Sequence, residues 1–320
     1  MPVHAFVFPG QGSQAVGMGR DLAAAFPAAR ELFQEVDDTL SQRLSRLMFE
    51  GPAEELTLTE NTQPALMAHS LAVLKVLEKE ANITIANKAF VVAGHSLGEY
   101  TALAAAGAFS VSDAARLLKL RGQAMQKATP AGVGAMAALL GADMDQARAI
   151  CEQAAVDPVT HKQEVIQAAN DNGAGQVVIS GHRTAIERAI EIAKASGIKR
   201  AMLLPVSAPF HCALMAPAAD AMAEALDKTP PTGPVVPVVA NVSAHRESDP
   251  SRIKELLVQQ VTATVRGREC IATMTEVGVD SFIELGAGKV LTGLVKRMAP
   301  EATGMSAGTP AELETLIKSL

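Results

Sequence analysis

Apolar positions in this chain fall into short continuous runs separated by longer stretches of helical spacing. Residues 4–8 (His4-Ala5-Phe6-Val7-Phe8) read as a buried strand, stopped by Pro9-Gly10-Gln11-Gly12. A helix-rich region follows to about Ala81, with turn signals at Gly51-Pro52 and Gln63-Pro64. Residues 89–93 form the next strand, which runs into Gly94-His95-Ser96-Leu97-Gly98. An Ala-rich helix over 97–106 comes next, with Gly107 placed to end it, and another helix is predicted over 112–127.

From about residue 131 to 205 the pattern changes. Strand-like segments lie at 134–140, 165–170, 176–180 and 199–204, and helical ones at 144–155 and 184–196. The order strand, helix, strand, strand, helix, strand predicts a ferredoxin-like subdomain over 131–205. It is inserted in a larger unit made of 1–130 and 206–320. That unit resumes with a helix at 213–226, a strand at 235–241, a helix at 251–261, a strand at 281–285 and a last helix. Strands alternating with helices predict an α/β fold, a mainly parallel sheet covered by helices on both faces.

Composition narrows the function classes. With 320 residues, 48% hydrophobic and 19% charged, the chain has ample material for a core and is not of disordered type. Aromatic residues make up only 3%, there is no Trp, Tyr100 is the one Tyr, and the net charge is −6 without a Lys/Arg run. Nucleic acid, which needs stacking aromatics beside basic grooves, is therefore not an expected partner. Cys151, Cys212 and Cys270 show no C-x-x-C spacing, so neither a metal site nor a redox pair is expected. Neither a signal-peptide pattern nor an apolar run of ~20 residues is present, so no membrane is expected and the cytoplasm is the expected location.

The chemistry concentrates on Ser96. A strand, then G-x-S-x-G, then a helix forms a sharp turn that small flanking residues tolerate, projecting the serine hydroxyl at a helix N-terminus. There, free N–H groups and the helix dipole can stabilise an oxyanion. The plain alternative is a glycine turn whose serine caps the next helix. His95 adjoins Ser96 too closely to fold back as its base and reads as a turn residue. A serine needs such a base. Of seven histidines, His211 stands out: it follows the rigid Ser207-Ala208-Pro209-Phe210 and precedes a helix. Its loop leaves the strand at 199–204, which in a parallel sheet would place it at the same carboxyl edge as Ser96. A serine hydrolase of this type would have its histidine near the chain end, after an orienting acid. Here no acid stands out, and a dyad with the imidazole oriented by a backbone carbonyl or an amide side chain is expected. On the helix at 112–127, Ala114, Leu118, Arg121 and Met125 share one stripe, so Arg121 interrupts a core-facing surface. It reads as a structural ion pair, as a stem that snorkels out to solvent, or as a clamp for a substrate carboxylate.

Two glycine clusters are decoys. In Gly10-Gln11-Gly12-Ser13-Gln14-Ala15 the third glycine of a dinucleotide fingerprint is missing, and Gly286-Ala287-Gly288-Lys289 lacks the length of a phosphate-binding loop. Both read as tight turns at strand ends. Taken in order, however, the motifs carry a resemblance. Phe8-Pro9-Gly10-Gln11-Gly12-Ser13-Gln14, Thr62-Gln63-Pro64-Ala65, Gly94-His95-Ser96-Leu97-Gly98-Glu99-Tyr100, Arg121, Pro209-Phe210-His211 and Gly286-Ala287-Gly288-Lys289-Val290-Leu291 span nearly the whole chain. The sequence resembles the malonyl-CoA:acyl-carrier-protein transacylases, the acyltransferase family of fatty-acid synthesis. The resemblance implies a hydrolase-like fold with a ferredoxin-like insertion. It implies ping-pong transfer of a malonyl group from malonyl-CoA to the phosphopantetheine thiol of acyl carrier protein, through malonyl-Ser96. His211 would be the general base, the N–H groups of Gln11 and Leu97 the oxyanion hole, and Arg121 the malonyl-carboxylate site. Gln260, beside Gln259, would help orient the histidine, and Phe210 would crowd an α-methyl group. Where the family often carries an aromatic after Val-Arg, this chain has Gly267. No cofactor is expected beyond the coenzyme A thioester substrate and the partner's phosphopantetheine, and a monomer is expected. Carrier proteins are usually acidic, so Arg183, Lys199, Arg200, Lys296 and Arg297 are docking candidates. The rival readings are an acyltransferase loading another acyl unit, a hydrolase or thioesterase using water, and a non-catalytic relative.

Overall fold

The run Ala5-Phe6-Val7-Phe8 is fully buried on both faces because it lies at the centre of a sheet, as the computed structural model, which describes residues 2–320, shows. Among the described residues ten strands form in chain order: β1 (His4–Phe8), β2 (Ala89–Gly94), β3 (Gly134–Leu140), β4 (Ile166–Asp171), β5 (Gln176–His182), β6 (Arg200–Leu203), β7 (Val238–Val239), β8 (Arg246–Glu247), β9 (Ser281–Leu285) and β10 (Thr303–Ala307). Six of them make one sheet in the order β10-β9-β1-β2-β7-β8. All its pairings are parallel except β7 with β8. Along β1, alternate side chains serve opposite faces. Phe6 and Phe8 join a core built with the helices Thr59–Ala81, Leu97–Ala105 and Val111–Lys127. Ala5 and Val7 join a second core with the helices Gly267–Glu276 and Val290–Met298. Helices therefore cover both faces, and the segments after β1, β2 and β9 leave at one carboxyl edge.

The other four strands form an antiparallel sheet in the order β4-β5-β3-β6, the ferredoxin-like arrangement expected from the strand–helix order. Its own apolar core joins Ala137, Leu139 and Ile179 to Ile150 and Ile186 of the helices Met144–Ala154 and Arg183–Ala195. The two sheets meet where Asn170 bridges Val265 and Thr264 Oγ1 donates to the Ala168 carbonyl at 2.7 Å.

The structure corrects several sequence expectations. Gln63-Pro64 is no turn: it lies inside the helix Thr59–Ala81, past its first turn, where Pro64 leaves the Glu60 carbonyl without an intrahelical N–H donor. The strand expected at 235–241 shrinks to the two residues of β7, because Pro237 precedes it and Ala240 turns back. The helix expected from 213 begins as a 3-10 turn at Ala213–Met215 and becomes α-helical only over Ala216–Lys228. The single last helix is two, Val290–Met298 and Pro310–Ser319, flanking the edge strand β10. The helix Gly267–Glu276 was not anticipated, although Cys270, Ile271 and Met274 carry its apolar spacing.

Candidate active site

The sharpness of the turn after β2 is a matter of backbone clearance. A side chain on Gly94 would come within 1.9 Å of the Gly98 carbonyl oxygen, and one on Gly98 within 2.3 Å of the Phe8 carbonyl oxygen. The turn is thus pressed against the end of β1, and only hydrogen fits at either position. Ser96 is held at φ 55°, ψ −108°, a strained geometry for a side-chain-bearing residue. Asn241 sustains it: its Oδ1 accepts from the Ser96 N–H at 2.8 Å, while its Nδ2 donates to the Gly94 carbonyl at 2.7 Å. The Ser96 side chain makes no capping bond to the helix Leu97–Ala105, so the plain capping role is not the one it plays. His95 turns away and bonds Asn172 Oδ1 at 2.9 Å through Nε2.

His211 reaches Ser96 by a route other than the one expected. The strand before its loop, β6, is an edge strand of the antiparallel sheet, so no parallel-sheet rule applies. Pro209 lies against Gly134 of β3, and the chain turns through φ 58° at His211 to cross to the nucleophile. The imidazole Nε2 is 2.8 Å from Ser96 Oγ, and Nδ1 is 2.8 Å from the main-chain carbonyl oxygen of Gln260. That carbonyl requires Nδ1–H, which leaves Nε2 as the acceptor for the serine proton. The orienting group is therefore a backbone carbonyl, and the Gln260 side chain points elsewhere. Burial, reinforced by the Arg121 charge, holds His211 far below an ordinary imidazole, at about 3, so the ring rests neutral.

Arg121 is 1% exposed and, among the described residues, forms no salt bridge with a carboxylate. Its Nη1 donates to Gln63 Oε1 at 2.7 Å, and its Nη2 donates to Gln260 Oε1 at 2.8 Å and to Ser96 Oγ at 3.1 Å. Its Nε has no partner among the described residues, and the guanidinium lies 5.6 Å from the Tyr100 ring centroid. Its burial rules out a stem that snorkels to solvent, and no structural ion pair forms among the described residues. A buried guanidinium surrounded by neutral acceptors is available to an incoming carboxylate. The register left open between two glutamines also resolves: Gln260 is buried and Gln259 exposed. Gln260 Nε2 donates to Glu99 Oε2 at 2.8 Å and to Asn241 Oδ1 and the Ser96 carbonyl at 3.1 Å each.

A cleft of about 390 Å³ opens onto these groups, lined among others by Gln11, Leu97, Met125, Met136, Phe210 and His211. The main-chain N–H groups of Gln11 and Leu97 donate to no other group among the described residues, the condition for an oxyanion site. The Gln11 loop is fixed from behind: Thr59 Oγ1 donates to Gln11 Oε1 at 2.9 Å and accepts from Gln63 Nε2 at 2.9 Å. Thr59, Gln63, Glu99, Asn172 and Asn241 were not assigned roles from the sequence. Gln63 and Glu99 lay inside quoted motifs, which was the only available signal. The two decoy glycine clusters do follow the ends of β1 and β9 as turns.

The profile of the acyl transferase domain family matches residues 5–313. The malonyl CoA-acyl carrier protein transacylase of Bacillus subtilis is 48% identical over 316 residues, covering 99% of this chain and 96% of its own. The crystal structure of an acyl-carrier-protein-S-malonyltransferase from Bartonella henselae superposes with a TM-score of 0.94 at 53% identity, over 99% of both chains. A malonyl-transacylase solved in complex with a type II PKS acyl-carrier protein matches at TM-score 0.93 and 42% identity, over 99% of this chain and 100% of that one. Family profile, relatives and fold agree with one another: the chain belongs to the acyl transferase family, among the malonyl CoA-acyl carrier protein transacylases, and is an acyltransferase.

Proposed function

We propose that the protein transfers a malonyl group from malonyl-CoA to the phosphopantetheine thiol of an acyl carrier protein, in ping-pong fashion through malonyl-Ser96. The observation that carries this reading is the position of Ser96 Oγ between His211 Nε2 at 2.8 Å and Arg121 Nη2 at 3.1 Å. A nucleophile paired with a neutral base shares its pocket with a guanidinium that has no anionic partner. The names of the relatives and the carrier-protein complex of one structural neighbour support the donor and acceptor.

In the first half-reaction His211 Nε2 takes the Ser96 proton as Oγ attacks the thioester carbonyl. The oxyanion forms against the N–H groups of Gln11 and Leu97, where loss of one donor typically costs about 3–4 kcal/mol. The C–S bond breaks and the proton passes from His211 to the coenzyme A thiolate. In the second half His211 takes the proton of the carrier thiol, whose sulfur attacks the ester, and returns it to Ser96. Arg121 selects the acyl group, because an acetyl unit would leave the buried guanidinium unpaired. Phe210, on the cleft wall, narrows the space for an α-methyl branch. Exposed Lys199 and Arg200 beside β6, and Lys296 and Arg297 at a helix end, are docking candidates for an acidic carrier. Arg183 is a weaker candidate, since its Nε is already bonded to the Gly132 carbonyl.

Intact-mass measurement after exposure to malonyl-CoA tests the reading. A malonyl adduct mapped to Ser96, removed by holo-carrier protein with transfer of its mass, and absent from Ser96→Ala, is the expected result. Release of free malonate at the same rate without carrier would instead make the protein a hydrolase.

A further inference from the structure

Glu99 is a buried carboxylate that the mechanism above does not use. It is 1% exposed, yet it forms no ion pair among the described residues. Its Oε2 accepts the Asn241 main-chain N–H at 3.0 Å and the Gln260 Nε2–H at 2.8 Å, and among the described residues no donor bonds Oε1. The other end of the same Gln260 amide, Oε1, accepts from Arg121 Nη2 at 2.8 Å. One amide thus separates a buried carboxylate from a buried guanidinium. A direct pair would neutralise both charges but would occupy the fork of Arg121. The interposed amide lets Glu99 compensate the arginine's charge while leaving its donors free for another carboxylate.

We propose that Glu99 is the electrostatic counterweight of Arg121, coupled to it through the Gln260 amide, and that seating an acyl carboxylate on Arg121 drives one proton from solvent onto Glu99. Two carboxylates then compete for one guanidinium in a site of low dielectric, and the one without direct contact gives up its charge. The proton resides on Oε1, since Oε2 already holds two N–H donors. The groups facing Glu99 allow this. Besides Arg121 they are Glu247 on β8, which disfavours a second negative charge, and the un-ionised Tyr100 and Cys270. Burial already lifts Glu99 to about 7, so a modest loss of compensation tips it to the acid near neutrality. Glu99 is thereby a positioning residue: ionised it favours release of the acyl group, protonated it favours retention.

The inference rests on acylation of Ser96 with the carboxylate on Arg121, and the test separates the two. The acylation half-reaction has no net proton change near pH 7, because the Ser96 proton leaves on the coenzyme A thiol. Proton uptake, followed with a pH indicator in weak buffer at pH 7.5 and normalised to adduct by mass, therefore reports other groups. With malonyl-CoA a substantial fraction of a proton per adduct is expected, falling towards zero near pH 5 where Glu99 is already protonated. With acetyl-CoA, which brings no carboxylate, no uptake is expected. Glu99→Gln keeps an acceptor at the Oε2 position and removes the charge, and is expected to abolish the malonyl signal. Equal uptake for both donors, or uptake that survives Glu99→Gln, overturns the proposal. If that variant does not fold, the malonyl–acetyl difference in the unaltered protein decides. Absence of any Ser96 adduct would instead refute the proposed function.

Discussion

At the scale of single residues, the neutrality of His211 and the isolation of Arg121 are linked. Burial first, and the facing guanidinium second, hold the imidazole at about 3. A base below its usual range stays unprotonated as pH falls, so acylation should not lose rate through the ordinary imidazole range near 6.5. Rapid-quench measurement between pH 4 and 8 should place the acid limb of kcat/KM well below 6, and a limb at 6.5 would contradict the assignment. Once an acyl carboxylate neutralises Arg121, the part of that depression due to its charge relaxes, and the limb for transfer to the carrier should lie at higher pH than the limb for acylation. Arg121→Ala removes a buried charged partner, a loss of about 3–5 kcal/mol in comparable pairs, or on the order of 10²–10⁴-fold in malonyl kcat/KM. Acetyl transfer should fall much less, so the ratio of the two specificity constants is the decisive readout. Ser96, His211 and Arg121 were legible in the sequence because each breaks its local pattern: a serine between glycines, a histidine after a rigid loop, a cation on an apolar stripe. Gln63, Asn241 and Glu99 break nothing visible, since their importance comes from contacts 58, 145 and 161 positions away along the chain.

At the scale of elements, the arginine helix Val111–Lys127 must come very close to the helix Thr59–Ala81 for Arg121 to reach Gln63. Gly122 provides that approach: a methyl group there would lie 2.5 Å from the Glu60 Cα. Gln123 and Lys119 then bond Glu60 at 3.2 and 3.1 Å from the same helix face. Gly122→Ala should push the helices apart at a cost of about 1–3 kcal/mol in stability. Because the displacement falls beside Arg121, KM for malonyl-CoA should rise more than KM for the carrier protein, a split that steady-state kinetics with each substrate varied would show. Elements whose buried runs are apolar were predicted well; 134–140 and 281–285 coincide with β3 and β9. Those set by tertiary context were not. The strand β10 reads Thr-Gly-Met-Ser-Ala, with exposed residues at its start, and pairs only because β9 offers a parallel edge. The Gln63-Pro64 signal failed for the opposite reason, as nearly complete burial of that helix overrides a local breaker.

At the scale of the whole molecule, the site exists because two sheets are held in register. The parallel sheet supplies Ser96 and the glutamine loop, while the chain leaving the antiparallel sheet supplies His211. Asn172, just past β4, holds His95 in the nucleophile turn, and Asp171 N–H donates to the Val265 carbonyl at 2.9 Å beyond the Gln260 helix. Gly134 at the start of β3 is packed closely, and an added methyl there would meet Pro209 Cγ at 2.2 Å. Pro209 is two residues before His211, and its ring cannot rotate aside. Gly134→Ala should therefore shift the histidine loop as a unit. A misplacement of about 1 Å in a catalytic group costs on the order of 10²-fold, so kcat should fall by that amount. Arg121 and its glutamine partners lie on other elements, so KM for malonyl-CoA should change little. Thermal unfolding with the kinetics distinguishes the outcomes. A lower kcat in a protein that remains folded would show that the packing of one sheet sets the chemistry on the other. A fall in melting temperature with kcat intact would show that the His211 loop re-seats itself against Ser96 independently of β3.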